Sequence, residues 1–157
     1  MLRRLTTGLV ATLWLTQVAF AQDELKNNLP VQTDEGIAFY QEKIKPIFAE
    51  HCAACHVDDP ESLEGGIGLT GRVSLLRGGH SGPAVDLQSP DKSLLLLAVQ
   101  REVIKMPPDE PLPKEQVENL KRWIEMGIPW TPAEEVDHGP AKKATMVDDK
   151  AKNWWAF

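Results

Sequence analysis

Both cysteines of this chain fall within five residues, Cys52-Ala53-Ala54-Cys55-His56, and that placement restricts the fold more than any other feature. Two cysteines are too few for a disulfide-stapled scaffold and too few for a zinc site made mostly of thiolates. Two thiols separated by two residues and followed at once by a histidine form the attachment pattern for c-type haem. Such thiols can add across the two vinyl groups at one porphyrin edge. The two-residue spacer lets a single helical turn reach both, and the adjacent imidazole then lies under the iron. Ala53 and Ala54 are small enough to leave the approach clear. Cys52 and Cys55 are therefore the candidate covalent anchors, and His56 is the candidate metal ligand.

Three other chemistries use paired cysteines. A thioredoxin-like redox pair calls for a strand-helix-strand context, which the sequence does not offer. A zinc site would combine Cys52 and Cys55 with two of His51, His56, His80 and His138, at spacings that match no standard finger. A short-loop disulfide is open to a chain that leaves the cytoplasm.

The beginning of the chain speaks for export. Arg3 and Arg4 precede an uncharged run from Leu5 to Phe20, and Ala19-Phe20-Ala21 has the small-x-small form of a secretory cleavage site. The run is shorter than the ~20 apolar residues of a spanning helix and is diluted by four threonines, so residues 1–21 are expected to be a signal peptide and not a membrane span. Covalent haem attachment in bacteria takes place on that side of the membrane, so a periplasmic or otherwise extracytoplasmic location is expected. The formal net charge is −6, and loss of residues 1–21, which hold two arginines and no acid, makes it more negative. A nucleic-acid partner is therefore not expected, because phosphates require a basic surface.

The rest divides into a polar leader over 22–33, a compact middle over 34–131 and a linker-like tail over 132–157. From Asp34, a good capping residue, apolar positions recur at Ile37, Tyr40, Ile44, Ile47 and Phe48 with the spacing of one helical face. Pro46 should kink or restart that helix. Ser89-Pro90 signals the start of a second helix through Leu94 to Val99. A third is expected from about Lys114 to Met126, stopped by Gly127, with Leu112 and Val117 spaced as a hydrophobic staple around Pro113. No useful strand alternation appears, so the fold class expected is all-α.

Between His56 and Ser89 stand Gly65, Gly66, Gly68, Gly71, Gly78, Gly79 and Gly82, with a short helix near Ser74 to Arg77. A loop of this length needs something to organise it, and three helices alone make a poor core. A haem supplies the missing apolar partner. Met106, in Lys105-Met106-Pro107-Pro108, is the candidate second axial ligand, because the two prolines stiffen the backbone that carries the thioether. Methionines commonly just fill cores, and His80 in the glycine-rich loop is the competing ligand.

The motif, with the downstream Met106, resembles a class I cytochrome c, and its details resemble the planctomycete-type cytochrome c domain. The similar stretches are Ile44 to His56, Gly65 to Leu69, Gly78 to Ala84, Ser89 to Leu96, Lys105 to Pro108 and Trp123 to Trp130. The resemblance implies a small helical fold wrapped around one haem c, with His56 proximal and Met106 distal. It implies that a proline carbonyl, here Pro83, accepts a hydrogen bond from the proximal imidazole. It also suggests Trp123 at the haem edge, or else as ordinary helix packing, and offers Arg72 and Arg77 as partners for propionates. Pro113 departs from the pattern, standing where relatives carry a Ser or Thr cap.

The function expected is that of a monohaem c-type cytochrome, an electron carrier and not an enzyme, exchanging single electrons with redox partner proteins. One alternative is an electron-transfer part of a larger multidomain enzyme with a catalytic domain on the same or a neighbouring chain. The ending Asn153-Trp154-Trp155-Ala156-Phe157 suits that alternative, because in large planctomycete proteins such a run stands at a domain junction. Another alternative is a haem-based ligand sensor, if Met106 does not coordinate.

Overall fold

A computed structural model of the protein describes residues 28–56 and 64–137. The export signal expected over 1–21, and the tail from 138 onward with its aromatic cluster, lie outside the described residues.

The first helix, α1 (Asp34–Phe39), starts one residue earlier in its capping than the sequence suggests. Thr33 is the cap, its Oγ1 accepting from the Gly36 N–H at 3.1 Å, while Asp34 and Glu35 place negative charge against the positive end of the helix. The chain then widens into one π-helical turn, Tyr40–Ile44, before resuming as α2 (Lys45–His51). Pro46 explains the change. It has no N–H to offer the carbonyl four residues back and its ring crowds the preceding turn, so the Lys45 N–H closes a wider turn onto the Tyr40 carbonyl and proline opens the next helix. Straight after Cys52 comes the single turn α3 (Ala53–His56).

Farther on lie α4 (Arg72–Arg77), α5 (Leu94–Val99) and α6 (Lys114–Glu125), with short 3-10 turns at Glu64–Gly66, Pro90–Lys92 and Pro132–Glu134. Among the described residues there is no strand, only an isolated bridge between Gly79 and Gly82, and the fold is all-α. The second long helix does not run on from Ser89-Pro90. Pro90–Lys92 is a separate turn, and Ser93 is extended (φ −58°, ψ 126°) because its buried hydroxyl is committed to the preceding loop, accepting from the Asp86 N–H at 3.0 Å. The third behaves as expected: Pro113 supplies no side-chain cap, and Gly127 at φ +83° ends the helix while the Ile128 N–H reaches back to the Trp123 carbonyl.

Four aromatic rings knit α6 to the first helical run. Tyr40 and Trp130 lie with centroids 4.4 Å apart, and Phe48 meets Trp123 edge-on at 5.4 Å. Ile44, Leu120, Ile124 and Ile128 complete this fully buried core.

Both flanks of the compact middle are tied to it. Pro30 offers its carbonyl to Arg72, and Gln32 accepts from the Trp130 N–H. Beyond 131, Thr70 and Val136 bond reciprocally, Glu135 accepts from the Arg72 N–H at 2.8 Å, and Arg77 pairs with Asp137 at 2.6 Å. Residues 132–137, expected to open a linker, form a strap over α4.

Candidate haem-binding site

Cys52, Cys55 and His56 line one cavity of about 430 Å³ together with Met106, which is distant from them in sequence, a volume within the range of cofactor sites. On one side are the end of α2, Cys52 and α3. A second wall is α5, presenting Leu94, Leu95, Ala98 and Val99, and the third is the segment Ile104 to Pro108. Glycines 65, 79 and 82 contribute backbone to the lining. The lining is mainly apolar, as a porphyrin face requires.

The glycine-dense loop is shaped by close backbone approaches. A Cβ on Gly78, itself at φ +72°, would run into the backbone of Gly82, and one on Gly79 would meet the Gly65 carbonyl. No other residue type fits there, so the glycines that look like flexible filler are what folds the loop against the cavity.

His56 is held at three points. Its N–H donates to the Cys52 carbonyl at 3.1 Å, its carbonyl accepts from Leu69 at 2.8 Å, and its ring Nδ1 donates to the Ile67 carbonyl at 3.1 Å. A carbonyl can only accept, so Nδ1 carries the proton and Nε2 keeps its lone pair for a metal. The same bond orients the ring. This role was expected of Pro83, but Pro83 is exposed and does not line the cavity. The Leu69-to-His56 backbone bond draws the Gly65–Leu69 segment alongside the ring, which puts Ile67 in the accepting position. Nothing in the side chain of Ile67 announces it, because only its carbonyl takes part.

Cys52 is half-buried, and burial pushes its thiol up to about 11. A thiol held protonated is the reverse of a thioredoxin-type redox cysteine, whose nucleophilicity rests on a lowered pKa. Cys55 is exposed, and neither cysteine is in a disulfide. Among the described residues no three or more His, Cys, Asp or Glu side chains gather as a metal site would need, so the zinc alternative finds no donor set there.

Met106 is half-buried on the cavity wall, its N–H bonded to the Ala98 carbonyl at 3.2 Å. His80 is exposed, does not line the cavity, and spends its backbone N–H on the Gly65 carbonyl. Trp123 is not at the cavity. It is fully buried in the aromatic core, where its Nε1 donates to the Pro129 carbonyl at 2.7 Å, and of the two roles considered for it, helix packing is the one it has. Arg72 and Arg77 also lie off the cavity lining, bonded to Pro30 and Asp137. Burial lowers the Arg72 pKa, with Glu135 opposing that shift.

Paired thiols, a histidine with an available Nε2 and a methionine around one apolar cavity in an all-α domain are the parts of a small c-type cytochrome domain. Residues 52–110 match the family model described as Planctomycete cytochrome C, so the segment from Cys52 through the Met106 loop is a cytochrome c domain of that type. No curated protein and no solved structure gives a match.

Proposed function

We propose that the protein carries one covalently attached haem c and passes single electrons between redox partners outside the cytoplasm. The observation that carries this reading is the convergence of Cys52, Cys55, His56 and Met106 on one cavity, with Nδ1 of His56 already committed to Ile67. When bound, the haem supplies an iron that cycles between the ferrous and ferric states. Cys52 and Cys55 would fasten the group by thioether links, and His56 Nε2 and the Met106 thioether would be the chain's ligands for the iron. If His56 and Met106 both bound the iron, no site would be left open for a substrate, as a carrier requires and a ligand sensor does not. The apolar walls from α5 keep water away and favour the less charged ferrous state, as the soft sulfur of Met106 does.

The electrons are exchanged with separate redox proteins or with a catalytic domain on the same or a neighbouring chain. The export reading rests on residues 1–21 and on the extracytoplasmic site of haem attachment.

A pyridine hemochrome assay on the mature protein tests the first part, and one haem of the two-thioether type per chain is expected. A colourless protein from a host with working haem-attachment machinery would refute it. Carbon monoxide tests the second, since a saturated iron leaves the ferrous spectrum unchanged by the gas.

A further inference from the structure

Helix α5 ends in a motif normally completed by glycine. The Glu102 N–H returns to the Leu97 carbonyl at 2.9 Å and the Arg101 N–H to the Ala98 carbonyl at 3.0 Å, the paired bonds that close a helix through one left-handed residue. That residue is Arg101, at φ +66°. A side chain with a Cβ is uncommon there and costs conformational energy that glycine would avoid. The guanidinium has a partner that accounts for its presence: Nη1 donates to the Pro107 carbonyl at 2.9 Å. The next residue back in the chain is Met106, whose own N–H is tied to Ala98 in the same helix end. The Met106–Pro107 segment is thus pinned to α5 at two points, one through the backbone and one through Arg101.

We infer that Arg101 is a positioning residue for the axial methionine, clamping the Pro107 carbonyl so that Met106 stays on the cavity wall. The inference rests on the proposed ligation by Met106 and goes further, assigning the strength of that ligation to a side chain that does not line the cavity. Three groups contribute to holding the loop on this account: the Ala98 carbonyl, the Arg101 guanidinium, and the stiffness of Pro107-Pro108. Only the second can be removed without altering the backbone or the prolines.

The test compares Arg101→Gly, Arg101→Lys and Met106→Ala in the haem-loaded protein. Glycine accepts the left-handed backbone more readily than arginine, so Arg101→Gly removes the clamp while leaving the helix end favoured. It is expected to fold, to weaken the methionine-to-iron charge-transfer band, and to bind exogenous imidazole about tenfold more tightly, the scale of one charge-assisted hydrogen bond. Arg101→Lys, which can still donate to the Pro107 carbonyl, is expected to restore the band and the weaker imidazole binding. Met106→Ala is expected to lose the band completely and bind imidazole most tightly. Should Arg101→Gly match the unaltered protein in band and imidazole affinity while Met106→Ala does not, the clamp is refuted and the ligand assignment stands. Should Met106→Ala itself leave the spectrum unchanged, the ligand assignment fails and the clamp falls with it.

Discussion

At Trp123 a single hydrogen bond decides between two roles. The indole N–H meets the Pro129 carbonyl inside a cluster of aromatic rings, away from the cavity lining. Trp123→Phe keeps an aromatic ring but leaves that buried carbonyl without its donor. A loss of about 1–3 kcal/mol in unfolding free energy is expected by denaturant titration, the range for an unsatisfied buried polar group. The haem absorption bands should stay where they are, and a shifted band would return Trp123 to the haem environment. His56 shows the opposite case. Its place directly behind Cys55 makes it recognisable from the sequence, whereas the carbonyl that fixes its tautomer belongs to Ile67, which a backbone contact alone selects.

Element boundaries follow from residues whose backbone chemistry is peculiar. Pro46 and Gly127 acted as their types require, one widening and restarting a helix and the other ending one. Ser89-Pro90 misleads as a helix start because the buried Ser93 hydroxyl, bonded to the Asp86 N–H, holds an extended residue in between. In the glycine loop the limiting positions are those where a Cβ has nowhere to go. Gly78→Ala combines a left-handed φ with a collision against the backbone of Gly82. It should cost more than about 1 kcal/mol, read as a fall in melting temperature of at least ~4 °C for a domain of this size, with poorer haem incorporation. Gly65→Ala is the comparison, since no atom crowds its Cβ and only the backbone penalty applies.

At the scale of the whole molecule, the strap of residues 132–137 is a contribution from outside the helical core. The strap brings the Glu135 carboxylate to the Arg72 N–H and Asp137 to Arg77. A chain ended after Thr131 is expected to melt several degrees below one ended after Asp137, since it loses the Thr70 and Arg72 backbone partners. Equal melting of the two truncated forms would make the strap incidental. Replacing both Cys52 and Cys55 by alanine should give a protein that surrenders all haem to acid-acetone extraction and shows less ordered helix by circular dichroism. Full retention of haem in that variant would mean that these thiols are not the anchors.

The cysteine pair, the histidine behind it, the all-α class and the third helix were legible in the sequence because each depends on residue type and spacing along a short stretch. The partner of His56, the burial of Trp123 in the aromatic core, the strap on α4 and the hold of Arg101 on Pro107 were decided only by tertiary structure. Each is a contact between residues whose proximity no local periodicity encodes, and most run through backbone carbonyls, which every residue possesses and which no side-chain pattern can single out.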